Sequence, residues 1–535
     1  MNKVLIIGAG GAGLRSAISA HKNGAEVTVI SKSYPTRSQT CMAQGGINAA
    51  RGENDSVEHH IADTLRSAHG VASQEAIAIL CENASTEIEF LDSIGVPFSR
   101  DKSGEITQRK LGGASEARAC YAQDFSGLKI LHTLYDHCNK LGIKFINEHY
   151  LINLSVQNKK VFGGNFLDMQ TGVTKHIEAD AIILATGGYS KIYQKHSTNS
   201  AGTTGDGVAV ALRAGASISN MEFIQLHPTA LKNSSVLISE SARGAGGYLV
   251  NSKGDRFTNE LAPRDEVARA IHNEIESGSD VFLDIRHLGE EFIDENLPQE
   301  RKLAKLYEGV DPIVDLLPIK PAAHYSMGGI EVNLECETNV KNLFAVGECA
   351  NHKVHGANRL GGNSLLELMV FGSIAGESAA HSSSVSPEHK TTTQFESDRN
   401  FIEGIKHFTN QIDFYEKREF ISNIFYNNVG LVRNDAGLKA VLAAIRQIQM
   451  EIPFMGPVDK SMHYNTNLVE FIEFGNMVEL AEVILVSAIS RHESRGAHFR
   501  DDIPESKDEM YATDLKVWRE EGILCADFVG KTDDN

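Results

Sequence analysis

Apolar residues run unbroken through "KVLII" at residues 3–7, stop at a cluster of glycines, return at helical spacing through "LRSAISAHK", and run again through "EVTVI". A short apolar run bounded by glycines reads as a buried strand, and apolar residues every three to four positions read as a helix packed on one face. Residues 3–30 therefore predict strand, glycine turn, helix, strand. The same apolar run ending in small residues returns in "ADAIILATGG" (179–188) and "KNLFAVGECA" (341–350). Three such strands from distant parts of the chain predict one α/β sheet of Rossmann-like type.

That sheet is expected over residues 1–225 and 336–380, interrupted by an insert over 226–335 that carries most of the isolated polar motifs. "SSSVSPEHKTTTQ" has no apolar periodicity and reads as a surface linker, 381–394. Over 395–500 the spacing is helical, as in "LVEFIEFGNMVELAEVILVSAISRHES", and the tail 501–535 reads as polar, mixed and patternless. The chain has no internal repeat of about 20 to 50 residues. Its 535 residues exceed what one hydrophobic core usually supports, so two to four domains are expected.

Charge narrows the partners. A net charge of -19 without a basic run argues against nucleic acid or an anionic membrane surface, while a local cationic pocket for a small dianion is still compatible with it. The seven cysteines, an odd number with no C-x-x-C pair, read as reduced thiols, with no disulfide framework, metal or iron–sulfur site in this chain. The first strand begins at once, with no signal-like segment before it and no apolar run of about 20 residues anywhere. A cytoplasmic location is expected.

The glycines in "GAGGAG" put Gly8, Gly10 and Gly13 in G-x-G-x-x-G spacing between strand and helix. The first permits a tight turn, the second lets backbone approach a pyrophosphate, and the third packs helix against strand, with the helix N-terminus toward the anion. The second strand ends in Ser31 and Lys32, where nicotinamide sites often place an acid, and no second fingerprint follows. The electrons are therefore expected to come from something other than a nicotinamide.

The segments "RSQTCMAQGGI" (37–47), "DIRHLGEE", "PAAHYSMGGIEVN", "LFAVGECA" and "HGANRLGGNSLLELMVFG" resemble the flavoprotein subunit of the fumarate reductase and succinate dehydrogenase family. The resemblance runs to about residue 380 and returns in "DKSMHYNTNLVE" and "SRGAHFRDD". It implies an α/β, Rossmann-like FAD-binding domain, an inserted α+β capping domain and a C-terminal helical domain. FAD would be held by Gly8, Ala9, Gly10, Gly11, Ala12, Gly13, Ser31, Lys32, Ser38, Gln39, Thr40, Gln44, Gly45 and Gly46. Further contacts would come from Asp206, His324, Tyr325, Glu348, Arg359, Asn363, Ser364 and Leu365. Independently, "NSLLELMVFGSIAG" predicts a helix starting at Asn363 or Ser364, whose positive end suits a reduced flavin; an ordinary Asn/Ser cap is the alternative. Gln39 stands where membrane-bound members commonly carry a flavin-linking histidine. A glutamine lacks the nucleophilic nitrogen, so FAD is expected to be non-covalent and fumarate reduction the preferred direction.

A four-carbon dianion needs donors converging from both ends. The resemblance assigns its carboxylates to His227, Ser239, His324 and Arg359, with Arg264 as proton donor and Glu240 and Arg243 as its relay; His227 is also placed among the catalytic residues. Arg264 stands out unaided. "PRDEVARAI" predicts a helix from near Pro263, which sets an arginine against the positive end of the dipole, unless it forms a surface salt bridge to Glu260 or Asp265. Arginine is a weak acid, but it can protonate a carbanion, which is what hydride transfer to one alkene carbon develops on the other. Two departures from the family pattern are Ser239, where threonine is frequent, and Ala245, where many relatives carry glutamate. His59 and His60 lie in a polar helical stretch and read as solvated.

L-aspartate oxidase shares the "APRD" motif and is the alternative enzyme, set against "HYSMGGIEVN", "DIRHLGEE" and "YAQDFSGLKILHTLYDHC" (121–138). A bare electron carrier would not need so many cationic and imidazole side chains. The expected partner is an iron–sulfur subunit, fed either from a quinol through a membrane anchor or quinone-linked subunit, which would hold the chain at the cytoplasmic face of the inner membrane, or from a soluble donor such as thiols.

Overall fold

In the computed structural model, which describes residues 1–383 and 393–529, the three apolar strands lie side by side. The sheet runs Leu343–Ala345, Ala181–Leu184, Lys3–Ile7, Glu26–Ser31, Lys144–Asn147, all pairings parallel. Strands of a parallel sheet are covered on both faces and so read as continuous apolar runs. Val4 and Ile6 face the helices Gly11–Lys22 and Asn363–Ala380, while Leu5 and Ile7 face an antiparallel sheet (His149–Gln157, Lys160–Asp168, Thr174–Glu178) and the C-terminal helices. The helices Gly11–Lys22 and Asn363–Ala380 touch through Gly372 and Gly376, where a Cβ would press on the carbonyls of Ala12 and Ser16.

The insert forms an antiparallel sheet in the order Ile224–Leu231, Leu317–Ser326, Val281–Asp284, Tyr248–Asn251. Its own core includes Leu231, Ile238, Val267, Leu283 and Ile319. Further on come the helices Thr393–Ile405, Phe414–Asn428, Asp435–Glu451 and Thr466–Ser490, the last three capped by the side chains of Asp413, Asn434 and Asn465. Each cap accepts an otherwise orphaned first-turn amide.

Two expectations need correction. The tail is not patternless: Leu515–Glu520 and Ile523–Phe528 form a hairpin, and its first strand pairs with Ile218–Ser219. Its turn residues Glu521 and Gly522 both have positive φ, as a two-residue type I′ loop requires. His59 is exposed as expected, but His60 is fully buried, its Nε2 2.9 Å from Asn363 Oδ1. Burial pushes its pKa down to about 4. The inward face of Val57–Ser67 carries His60, Thr64 and Ser67, polar residues satisfied by distant polar partners, so it does not show as an apolar stripe. Most of the expected linker, 384–392, and the tail beyond 529 lie outside the described residues.

Candidate active site

One elongated cleft begins at the C-terminal ends of the parallel strands and continues into the insert. Gly8 makes its turn at φ +114°, and a Cβ on Gly13 would overlap the Gly8 carbonyl, so both positions require glycine. Gly10, at the N-cap of Gly11–Lys22, makes no side-chain cap. Thr40 Oγ1 accepts the Gly11 amide at 3.1 Å. The glycine turn and this helix start form an anion site of the kind that holds a pyrophosphate.

Several polar groups along the cleft are buried without a protein partner: the Ser38 and Thr186 hydroxyls, both ends of the Gln44 amide, and Arg359 Nε. Buried polar groups are normally satisfied, so this lining is built for a ligand with matching donors and acceptors. The residues fit FAD. The Gln39 side chain is turned onto the chain itself, Oε1 accepting the Ser200 amide at 2.7 Å. Lys32 Nζ bonds Thr204 Oγ1 (2.9 Å), Asp206 Oδ2 (2.7 Å) and Glu473 Oε1 (2.8 Å). Burial pushes the Glu348 carboxyl up to about 7, and its Oε1 accepts the Ser326 amide. The helix Asn363–Ala380 has Gly362 as N-cap, in the left-handed region and with no side-chain cap, while Ser364 and Leu365 line the cleft. An ordinary Asn/Ser cap is therefore absent. The Asn363 side chain turns to Thr64, His60 and Asn48, away from the lining.

At the insert end, Arg264 is the first residue of Arg264–Glu276. Its Nε and Nη2 donate to Glu240 Oε2 at 3.0 and 2.6 Å, and Nη1 to Gln225 Oε1 at 3.0 Å. The surface salt bridge to Glu260 or Asp265 is not formed. Glu240 Oε1 accepts the Gly112 amide at 2.9 Å and stands 3.5 Å from Arg243 Nη2. Burial alone would raise the Glu240 pKa, but Arg264 and Arg243 hold it below the usual range. Arg359 lies over the Tyr325 ring at 4.2 Å, and Tyr325 donates to Glu367 at 2.6 Å. Burial, then Arg264, lowers Arg359 to about 10, still charged at neutral pH. The rings of His227 and His324 meet edge to face at 4.9 Å. Burial and the neighbouring arginines push both well below ordinary histidine values, so both are neutral. Arg264 and Arg359 line this end of the cleft with Arg243 behind Glu240, a cationic setting that suits a dianion.

Of the residues singled out from the sequence, all line the cleft except Gly13, which packs helix on strand, Asn363, and Arg243, which stands behind Glu240. Gln225, Thr186 and Thr198 were missed. Gln225 lies two positions before His227 and shares its buried strand, a signal the motif reading passed over.

Residues 3–365 match the FAD binding domain family and residues 418–523 the C-terminal region of fumarate reductase flavoproteins. The class is thus that of FAD-dependent oxidoreductases acting on a CH–CH bond. The chain is 39% identical to the 8-methylmenaquinol:fumarate reductase flavoprotein subunit of Wolinella succinogenes, over 93% of this chain and 85% of the relative. It is 37% identical to the succinate dehydrogenase flavoprotein subunit of Rickettsia bellii, over 99% and 93%. Among solved structures, an E. coli quinol fumarate reductase superposes with a TM-score of 0.95 at 34% identity, covering 98% of this chain and 96% of that one. The chain belongs to the fumarate reductase and succinate dehydrogenase flavoprotein family.

Proposed function

We propose that this chain interconverts fumarate and succinate, reduction being the preferred direction, with Arg264 as proton donor. The supporting observation is the buried series Arg264, Glu240, Arg243 at the end of the FAD cleft, with the guanidinium of Arg359 close enough to Arg264 to feel its charge. FAD, when bound, supplies the hydride. His227 is held at Nδ1 by Thr229, 3.2 Å from its amide and 3.3 Å from its carbonyl, and its ring lines the cleft to meet a carboxylate. Thr198 Oγ1, 2.8 Å from His324 Nδ1, orients the second imidazole. Arg359 and the Ser239 hydroxyl complete the carboxylate contacts. A guanidinium N–H of Arg264 protonates the carbon left negative, and Glu240, bound to two of its nitrogens, returns the proton with Arg243 behind it. Positioned proton transfer contributes about 10²- to 10⁴-fold.

Adding fumarate anaerobically to dithionite-reduced protein is expected to restore the oxidised flavin spectrum; a flavin that stays reduced would overturn the reading. Arg264→Gln is expected to lose turnover by about 10²- to 10⁴-fold while keeping its FAD. Near-normal rates in that variant would remove Arg264 from its role.

Non-covalent FAD is supported by the Gln39 amide, which lacks a nucleophilic nitrogen and is held by Ser200. Acid precipitation should release the flavin into the supernatant. Loss of a covalent link lowers the flavin potential in this reading, and about 30 mV is roughly tenfold in a two-electron equilibrium. The relatives are described as flavoprotein subunits, and among the described residues no helix is long and apolar enough to cross a membrane. The subunit description supports partner chains, in this reading an iron–sulfur subunit fed by a quinone-linked anchor or by a soluble donor; purification of the native complex tests it.

A further inference from the structure

The motif "YAQDFSG" precedes the helix Ser126–Lys140 of the α/β domain, yet Asp124 within it reaches the insert. Its Oδ2 accepts the amides of Gln299 (2.7 Å) and Glu300 (3.2 Å) at the start of Pro298–Tyr307, a helix whose own N-cap residue, Leu297, offers no side-chain cap. Glu300 Oε1 in turn accepts the Ser239 amide at 2.9 Å. The Ser239 hydroxyl is fixed as well, accepting the Ser241 amide at 3.1 Å and lying 2.9 Å from Ser241 Oγ. Gln123, just before Asp124, is held at φ +48°, and its carbonyl accepts from Arg109, whose guanidinium lies 3.8 Å over the Tyr121 ring.

We propose that Asp124 and Glu300 are positioning residues that fix Ser239 against the cleft and so set dicarboxylate affinity without touching the substrate. The proposal rests on the fumarate reading of the site. Asp124 and Glu300 are fully buried, and Asp124 Oδ1, Glu300 Oε2 and Arg109 Nε have no hydrogen-bond partner. The charged group facing the pair is Arg109. Burial raises both carboxyls, and Asp124 adds to the rise at Glu300. A glutamine keeps the acceptor oxygen that Glu300 offers the Ser239 amide, while an alanine does not.

The test is steady-state fumarate reduction by the flavin-loaded full chain with a reduced viologen dye. Glu300→Ala is expected to raise KM about tenfold, the size expected when a buried amide loses its acceptor, with kcat changed less than about threefold. Glu300→Gln should restore KM to within about twofold of the parent. Asp124→Ala should raise KM as Glu300→Ala does, and Asp124→Asn, which keeps one acceptor oxygen, should fall between. A role confined to stability would lower the yield of folded protein and leave KM alone, so an unchanged KM in folded Glu300→Ala overturns the proposal. Should Glu300→Ala not fold, Asp124→Asn decides: a raised KM supports the proposal and an unchanged one overturns it. If the parent protein fails to turn over fumarate, the fumarate reading is what has failed, and the KM series separates the two.

Discussion

Arg491 and Arg359 are both buried and both lie over aromatic rings, and they have opposite surroundings. Arg491, in the turn after the last long helix, lies 4.7 Å over Phe223 and has every nitrogen engaged. Nε meets Glu222 Oε1 at 2.5 Å, Nη1 meets Glu493 and the Tyr511 carbonyl, and Nη2 meets the Thr513 carbonyl. Arg359, over Tyr325, has one 3.5 Å contact to the Leu360 carbonyl and an unpartnered Nε. Burial and ring stacking are common to both, so neither marks function. What separates them is whether the donors are consumed by the protein or left facing a cleft.

The sharpest way to break this contrast is Arg491→Met. Removing one partner of a buried ion pair costs about 3–5 kcal/mol, so the denaturation midpoint should fall steeply, while KM in the protein that folds stays put. A KM shift there would show that the turn reaches the site. Glu348, the carboxyl on the unspent side, gives a pH signature. The folded protein holds its proton to about 7, the unfolded chain releases it near 4.5. The folded state therefore binds the extra proton between those values, and stability of the FAD-free protein falls as pH rises from 4.5 to about 7, then levels off. Glu348→Gln should remove that slope in thermal denaturation; an unaltered slope would assign it to other groups. Next comes Arg359→Met, expected to raise KM for fumarate about 10- to 100-fold with little loss of melting temperature, since charged hydrogen bonds contribute about 1.5–3 kcal/mol. The smallest effect belongs to Ser241→Ala, which frees the Ser239 hydroxyl but keeps its backbone cap: KM should rise no more than about threefold.

How much of this is legible in the sequence depends on the range of the interaction. The glycine turn and the strands of the parallel sheet are local patterns, and they stand where the chain's periodicity puts them. The helix start at Arg264 was readable from Pro263. His60 was not, because the atom that satisfies it belongs to Asn363, 303 positions away. For Arg264, the partner Glu240, 24 positions back, was named only through the family resemblance, and Gln225, 39 positions back, was not read at all. The tail hairpin is a different case: Leu515 and Val517 point inward on alternate positions and "EG" follows, a local signal hidden by a polar composition.

Lys32 carries a consequence for the order of events at the ribosome. Its ammonium is shared by Asp206 and by Glu473 of the helix Thr466–Ser490. The glycine turn emerges with the first few dozen residues, but this wall of the nucleotide cleft is finished only when residue 473 has left the exit tunnel. The nascent chain therefore spends most of its synthesis with Lys32 lacking one of its two carboxylate partners.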